Sequence, residues 1–285
     1  MATAVVDGIT TRYEVTGSGP ALLMYSPGGF DATVEKWSSL GVYARVQPVE
    51  HLSKHYTCIM FDRRETGQSG GRVERVTWDH YVAQGRGLLD HLGIDRAHLM
   101  GGCMGVSPVI AFGVAHPERV LSMVLWWPVG GAKYRIKAHQ RVAEHLGYVQ
   151  QAGLTGVVSL VQKEGKSFGA DPRGGPWAAP IRHDAEFAAR FAEQDAERYK
   201  LAVSGTARTL FDRDSAPGAE PEDLLRCEIP ALVVPGRDES HATSAARYLE
   251  ECLPNATYWD VPPAQQTAET AAPRLLDFLA NTTTQ

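Results

Sequence analysis

The sequence predicts an α/β fold, a mostly parallel sheet covered by helices on both faces and interrupted by a helical insertion. Three observations carry this expectation. Between residues 21 and 126, short apolar runs alternate with segments of helical spacing, the pattern of strands joined by crossover helices. That rhythm breaks after Pro128 and resumes at Ala231. The chain has 285 residues, enough for one large α/β domain with an insertion.

Residues 3 to 15 alternate apolar and polar side chains, as an opening antiparallel pair of strands does. Gly17-Ser18-Gly19-Pro20 is a turn, and Ala21 to Tyr25 reads as a buried strand ending in "SPGGF". Glu35 to Lys54 reads as helix and loop, and Tyr56 to Phe61 as the next strand. Trp78 to Leu92 has helical spacing and stops at Gly93, a suitable C-terminal cap. The strand Ala97 to Gly102, a helix to His116 and the strand Val120 to Trp126 follow. The break holds helical segments at Ala132 to Gly147, Leu154 to Glu164 and Asp184 to Ser204, around a Gly/Pro-rich loop. Strand 231–235, helix 244–252, strand 256–261 and helix 268–280 complete eight strands.

Composition excludes several classes of function. The formal net charge of -5 comes without a basic stripe, so no nucleic-acid partner is expected. No apolar run approaches the roughly 18 residues of a membrane span, and the first residues lack the charged and apolar regions of a secretory signal. A cytoplasmic enzyme with a small-molecule substrate is the expectation, and a homodimer is compatible with it. Cys58, Cys103, Cys227 and Cys252 are scattered without metal-ligand spacing, so neither a metal nor a cofactor is implied. Cys58 sits in a strand pattern, and Cys227 and Cys252 near element ends, where small packing residues are ordinary. Cys103 stands at the centre of Gly101-Gly102-Cys103-Met104-Gly105. A strand turning sharply into a helix over small residues lifts the central side chain above the sheet, which suits a nucleophile.

Four motifs in order resemble the α/β-hydrolase fold family, over nearly the whole chain outside the insertion. "SPGGF" is similar to the family's oxyanion-hole loop, with Pro27 where a His often stands. "FDRRETGQSGG" resembles its Asp-x-Arg-Gly-x-Gly-x-Ser loop, interrupted by Glu65. "GGCMG" matches the nucleophile elbow, with Cys103 in place of the more frequent Ser, and "VVPGRDESH" matches the loop that supplies the acid. The resemblance implies a mostly parallel eight-stranded core, residues 1–130 and 227–285, with residues 131–226 as a helical lid. It implies Cys103 as nucleophile at a helix N-terminus, where a thiolate is favoured. It also implies an oxyanion hole from the N–H of Met104 with that of Gly29 or its neighbour Phe30.

One departure is sharp. The family places its histidine after the last strand, where this chain reads "WDVPPAQQTAET" with Gln265 and Gln266 and no His. A neutral amide cannot shuttle a proton. The nearest replacement is His241, three residues beyond Asp238, in a loop expected two strands, about 10 Å, from the elbow. Asp238 would orient that imidazole, with Glu239 as the rival acid and His183 as the rival base. His241 could instead cap the following helix. Trp126, Trp127, Phe168 and Trp177 are candidates for an apolar pocket wall, and Arg63 and Arg64 are expected to brace loops through ion pairs.

The function expected from this reading is a hydrolase or acyl-transfer enzyme acting through a cysteine on a small ester, lactone or thioester. Two alternatives stand beside it. One is a lyase or cyclase of the same fold in which Cys103 and the oxyanion hole stabilise an enolate. The other is a degenerate member that binds a small ligand under its lid.

Overall fold

The computed structural model describes residues 2–283. Eight strands form one sheet in the order β1-β2-β4-β3-β5-β6-β7-β8. They are β1 (Ala2–Val6), β2 (Ile9–Thr16), β3 (Ala21–Tyr25), β4 (Thr57–Phe61), β5 (Ala97–Gly102), β6 (Val120–Trp126), β7 (Ala231–Val234) and β8 (Ala256–Tyr258). Only the β1–β2 and β2–β4 pairings are antiparallel. The helices are α1 (Lys36–Ser39), α2 (Gly41–Val46), α3 (Pro48–Leu52), α4 (Trp78–His91), α5 (Val106–Ala115), α6 (Ala132–Glu164), α7 (Ala178–His183), α8 (Ala185–Ala192), α9 (Ala196–Leu210), α10 (Pro221–Leu224), α11 (Thr243–Cys252) and α12 (Ala268–Thr283).

The continuous apolar runs of the inner strands reflect burial on both faces. Leu22, Met24, Met60, Met100, Val124 and Leu232 share one core with Trp37, Val46 and Leu275. Their sequence neighbours Leu23, Ile59, Leu99, Met123, Leu125 and Val233 lie in the other, with Leu88, Phe112 and Leu249. Period-two alternation thus assigns α1–α3 and α12 to one side, and α4, α5 and α11 to the other. His98 is buried in this core and satisfied, bonding Ser122 Oγ at 2.8 Å and Thr283 Oγ1 at 3.0 Å.

Between β6 and β7 the described residues form helices only. The two helices expected at 132–147 and 154–164 are one run, α6, broken at Gly153 (φ 65°, ψ 178°). The single helical segment expected at 184–204 is two helices, because Asp184 and Asp195 each cap a start, accepting from the N–H groups of Phe187 and Arg198. The short α10 packs on α5 and α11 of the core, so the region lying over the sheet edge is α6 to α9. Strand β8 ends at Tyr258 rather than at 261. No helix among the described residues is long and apolar enough to cross a membrane.

Parallel register fixes where chemistry can sit. Tyr25 pairs with Phe61 and Gly101, Gly102 with Trp126, and Trp126 with Val234. The carboxyl ends of β3 to β7 therefore lie along one edge, and the loops that follow them converge there.

Candidate active site

The turn after β5 is a tight strand-to-helix junction. Cys103 has φ 54°, a left-handed conformation uncommon for a residue with a side chain. Its flanking glycines are required by contact. A Cβ on Gly101 would lie 2.3 Å from the Gly105 carbonyl oxygen, and one on Gly105 would lie 2.3 Å from that of Tyr25. The result is a half-buried sulfur at the N-terminal end of α5, on the floor of a cavity of about 530 Å³.

Asp238 and His241 come from the loop after β7 and line the same cavity. Asp238 Oδ1 accepts from the backbone N–H groups of Ser240 at 2.8 Å and His241 at 3.0 Å. Both carboxylate oxygens lie 2.8 Å from His241 Nδ1, so this nitrogen carries a proton and Nε2 is the ring nitrogen left for chemistry. Nε2 is buried without a hydrogen-bond partner among the described residues, and the imidazole and the Cys103 sulfur, which line the same cavity, favour each other's charged forms. His241 is not a helix cap, because Ala242 holds that position.

The position of His241 depends on residues that carry no motif. Gly236 makes room for it, since a Cβ there would lie 2.5 Å from His241 Cβ. A bridge between Gly130 and His241 ties its backbone to the segment after β6. The Trp127 indole packs on the imidazole at 5.3 Å between ring centroids. Gln266, fully buried, holds that indole: its Oε1 accepts from Trp127 Nε1 at 2.8 Å and Trp126 Nε1 at 3.0 Å. Its Nε2 donates to the carbonyls of Pro235 at 2.9 Å and Val261 at 3.2 Å. The amide in the loop after the last strand thus knits three loops together. An imidazole has only two ring nitrogens and could not serve two donors and two acceptors.

The electrostatics of the three groups are mutually dependent. Burial opposes ionisation of Cys103, but the His241 charge and the backbone N–H groups of Gly28 and Met104 draw it below the ordinary thiol range. The other cysteines move the opposite way. Burial pushes Cys58 up to about 12 and also raises Cys227 and Cys252. Burial likewise disfavours a charged His241, yet the Cys103 sulfur and Asp238 outweigh it and raise the imidazole to about 10. The hydrogen bond from His241, against partial burial, lowers Asp238 to about 2. Each of the three groups is thereby shifted toward its charged form: Cys103 toward thiolate, His241 toward imidazolium and Asp238 toward carboxylate.

Besides Met104, the backbone N–H of Gly28 favours the ionised sulfur. Gly29 lines the cavity one residue further on, because the chain turns at Gly28 with φ 102°. Arg63 shapes this loop. Its guanidinium is fully buried and donates to the carbonyls of Gly28 and Gly29, the latter at 2.6 Å. In trans peptides the N–H of the next residue points opposite to the carbonyl, so the N–H groups of Gly29 and Phe30 are turned away from Arg63. The ion-pair role expected of Arg63 is therefore replaced by carbonyl bonding, whereas Arg64 does pair with Glu65 at 2.9 Å and with Glu74. Glu65, at the position the resemblance gives to glycine, takes φ 66°.

Other candidates separate cleanly. Glu239 is exposed and pairs with Lys133 at 3.4 Å. His183 is exposed at the end of α7, away from the cavity. Trp127 and Phe168 line the cavity, whereas Trp126 and Trp177 are fully buried in the packing. Tyr134, Ala138, Arg141 and Phe211 of the insertion complete the wall. Among the described residues no group of three His, Cys, Asp or Glu side chains is placed to hold a metal ion.

A family model described as alpha/beta hydrolase fold matches residues 23–266. The chain belongs to that family. As an α/β hydrolase it is similar to the dihydrolipoyllysine-residue acetyltransferase component of the acetoin cleaving system of Cupriavidus necator, 31% identical over 127 residues. It is also 33% identical over 120 residues to 2-hydroxy-6-oxo-6-phenylhexa-2,4-dienoate hydrolase of Comamonas testosteroni. These matches cover 45% and 42% of this chain, and only 32% and 40% of those relatives. The enol-lactonase of Burkholderia xenovorans LB400 shares the fold over 98% of this α/β hydrolase and 100% of its own chain, with TM-score 0.63 and 21% identity.

Proposed function

We propose that this α/β hydrolase is an enzyme that cleaves or transfers the acyl group of a small ester, lactone or thioester, with Cys103 as nucleophile. The observation that carries this reading is the pairing of Cys103 with an imidazole supplied from the loop after β7. His241 Nδ1 is held 2.8 Å from both Asp238 oxygens, and its buried Nε2 is free for Cys103. The thiolate attacks the acyl carbonyl and forms a C–S bond. The oxyanion takes N–H groups from Met104 and the Gly28–Phe30 loop. The His241 imidazolium gives its proton to the leaving oxygen or sulfur as that bond breaks. The neutral imidazole then takes a proton from water, hydroxide adds to the thioester, and departure of sulfur restores the thiolate–imidazolium pair. An alcohol or thiol in place of water gives transfer.

The helices of residues 131–226 act as the lid in this reading. The enolate-stabilising alternative drew its support from a missing histidine, and His241 beside Cys103 favours hydrolysis instead. The dienoate hydrolase relative is, by its name, a hydrolase too. Intact-mass analysis after exposure to activated esters and thioesters tests the reading. The expected result is a gain of one acyl group localised to Cys103. Turnover by a Cys103→Ala variant at the wild-type rate would overturn it.

A further inference from the structure

We propose, building on that reading, that the substrate carries a carboxylate remote from its reacting carbonyl and that Arg141 binds it. Tyr134, Ala138 and Arg141 are spaced four and three apart on α6 and so share one face. All three line the cavity that holds Cys103. Four residues on, the same face continues into buried His145, satisfied by Tyr199 Oη at 2.6 Å and the Arg173 carbonyl at 2.9 Å. Arg141 thus stands in the inward row of its helix, and it is half-buried.

The other cations on the cavity wall are matched, although Lys137 on the same helix and the buried Arg63 behind the wall make no ion pair among the described residues. On the same helix Lys133 pairs with Glu239 and Arg135 with Asp214. On the cavity wall Lys36 pairs with Asp31 at 2.9 Å, and His241 with Asp238. Arg141 makes no hydrogen bond or ion pair among the described residues, although Glu144 stands three positions on, at a spacing that permits pairing. It is the wall cation without an anionic partner. Much of the cavity wall is apolar, including Phe30, Leu40, Trp127, Phe168 and Phe211, which strengthens a charge interaction inside it.

A guanidinium fork matches a carboxylate bidentately. A single cation on an apolar wall suits an anion of one charge rather than a phosphate. The Cys103 thiolate repels such an anion, so the carboxylate belongs at the Arg141 side, with the reacting carbonyl over the sulfur. A cavity of about 530 Å³ lies within the range of small-ligand sites.

Two measurements on the whole protein test this. In the first, valerate and valeramide compete with iodoacetamide for access to Cys103. Valerate is expected to protect and valeramide to fail, and Arg141→Gln is expected to abolish the protection. Protection by valerate that survives Arg141→Gln would place the carboxylate elsewhere and overturn the proposal, as would the absence of protection. In the second, the neutral 4-nitrophenyl ester of valerate is compared with the 4-nitrophenyl monoester of glutaric acid. Arg141→Gln should cost roughly 10- to 100-fold in kcat/KM on the anionic ester, mainly through KM, from the loss of a charged hydrogen bond. The neutral ester should change little, which also controls for folding, and Arg141→Lys should restore part of the loss. Equal loss on both esters would overturn the proposal. If Arg141-dependent protection is seen but no ester is turned over, the carboxylate site stands and the hydrolase reading fails. If esters are hydrolysed without Arg141-dependent selectivity or protection, the hydrolase reading stands and this proposal falls.

Discussion

Replacing Gln266 by leucine removes the amide that joins three loops while keeping a side chain of similar length. Gln266 is fully buried and makes four side-chain hydrogen bonds. Two of them, from Trp126 Nε1 and to the Pro235 carbonyl, lie in fully buried surroundings. Orphaning those two groups costs about 1–3 kcal/mol each. The part-buried pair, at Trp127 Nε1 and the Val261 carbonyl, can be met by water at smaller cost. Leucine's added apolar burial offsets about 1–2 kcal/mol. The net expectation is a loss on the order of 1–4 kcal/mol, read as a lower urea midpoint with an unchanged m-value. Because Trp127 packs on His241, kcat should fall even at temperatures where the variant is fully folded. An unchanged midpoint together with unchanged kcat would refute the argument that this amide holds the base in place.

Cys103 should be alkylated by limiting iodoacetamide before Cys58, Cys227 and Cys252, because it alone is drawn toward the thiolate; earlier labelling of any other cysteine, mapped by peptide mass, contradicts this. Asp238 is lowered from 3.8 to about 2, so its contribution is present above pH 3.8 and lost as pH falls toward 2. With the carboxylate side chain 49% exposed, screening leaves about 1 kcal/mol or less, and Asp238→Asn should flatten that part of the acid unfolding profile. His241 is raised from 6.5 to about 10, so its contribution is complete below pH 6.5 and lost as pH rises through about 10. Turnover should decline over the same alkaline limb as the proton for the leaving group disappears, and a pH–rate profile that stays flat there would count against it.

The strand rhythm of the sequence was enough to place the sheet, because strands buried on both faces must be apolar throughout. The elbow was legible for a related reason: Gly101 and Gly105 are demanded by contacts below 2.5 Å, and such demands leave a spacing in the sequence. The helical insertion was harder to read. The break at Gly153 lies inside a run that is helical on both sides, and Asp184 and Asp195 act as caps only through local hydrogen bonds. Asp238 and His241 stand three apart in one loop, a spacing visible in the sequence, but the supports of His241 were not visible. Gly236, Trp127 and Gln266 are far apart in sequence and meet only because β6, β7 and β8 end side by side. The carbonyl-bonding role of Arg63 was hidden in the same way, since a buried arginine beside Arg64 and Glu65 reads in sequence as one more ion pair.

The central claim is that Cys103 forms the covalent bond and His241 moves the proton. It is tested most directly by time-resolved intact mass of His241→Ala mixed with an activated ester. Loss of general acid–base help should lower turnover by about 10²- to 10⁴-fold, with water attack slowed more than acylation. One acyl group should therefore accumulate on Cys103 in the variant while the wild type shows little. Wild-type turnover in His241→Ala, or accumulation on any residue other than Cys103, would contradict the account.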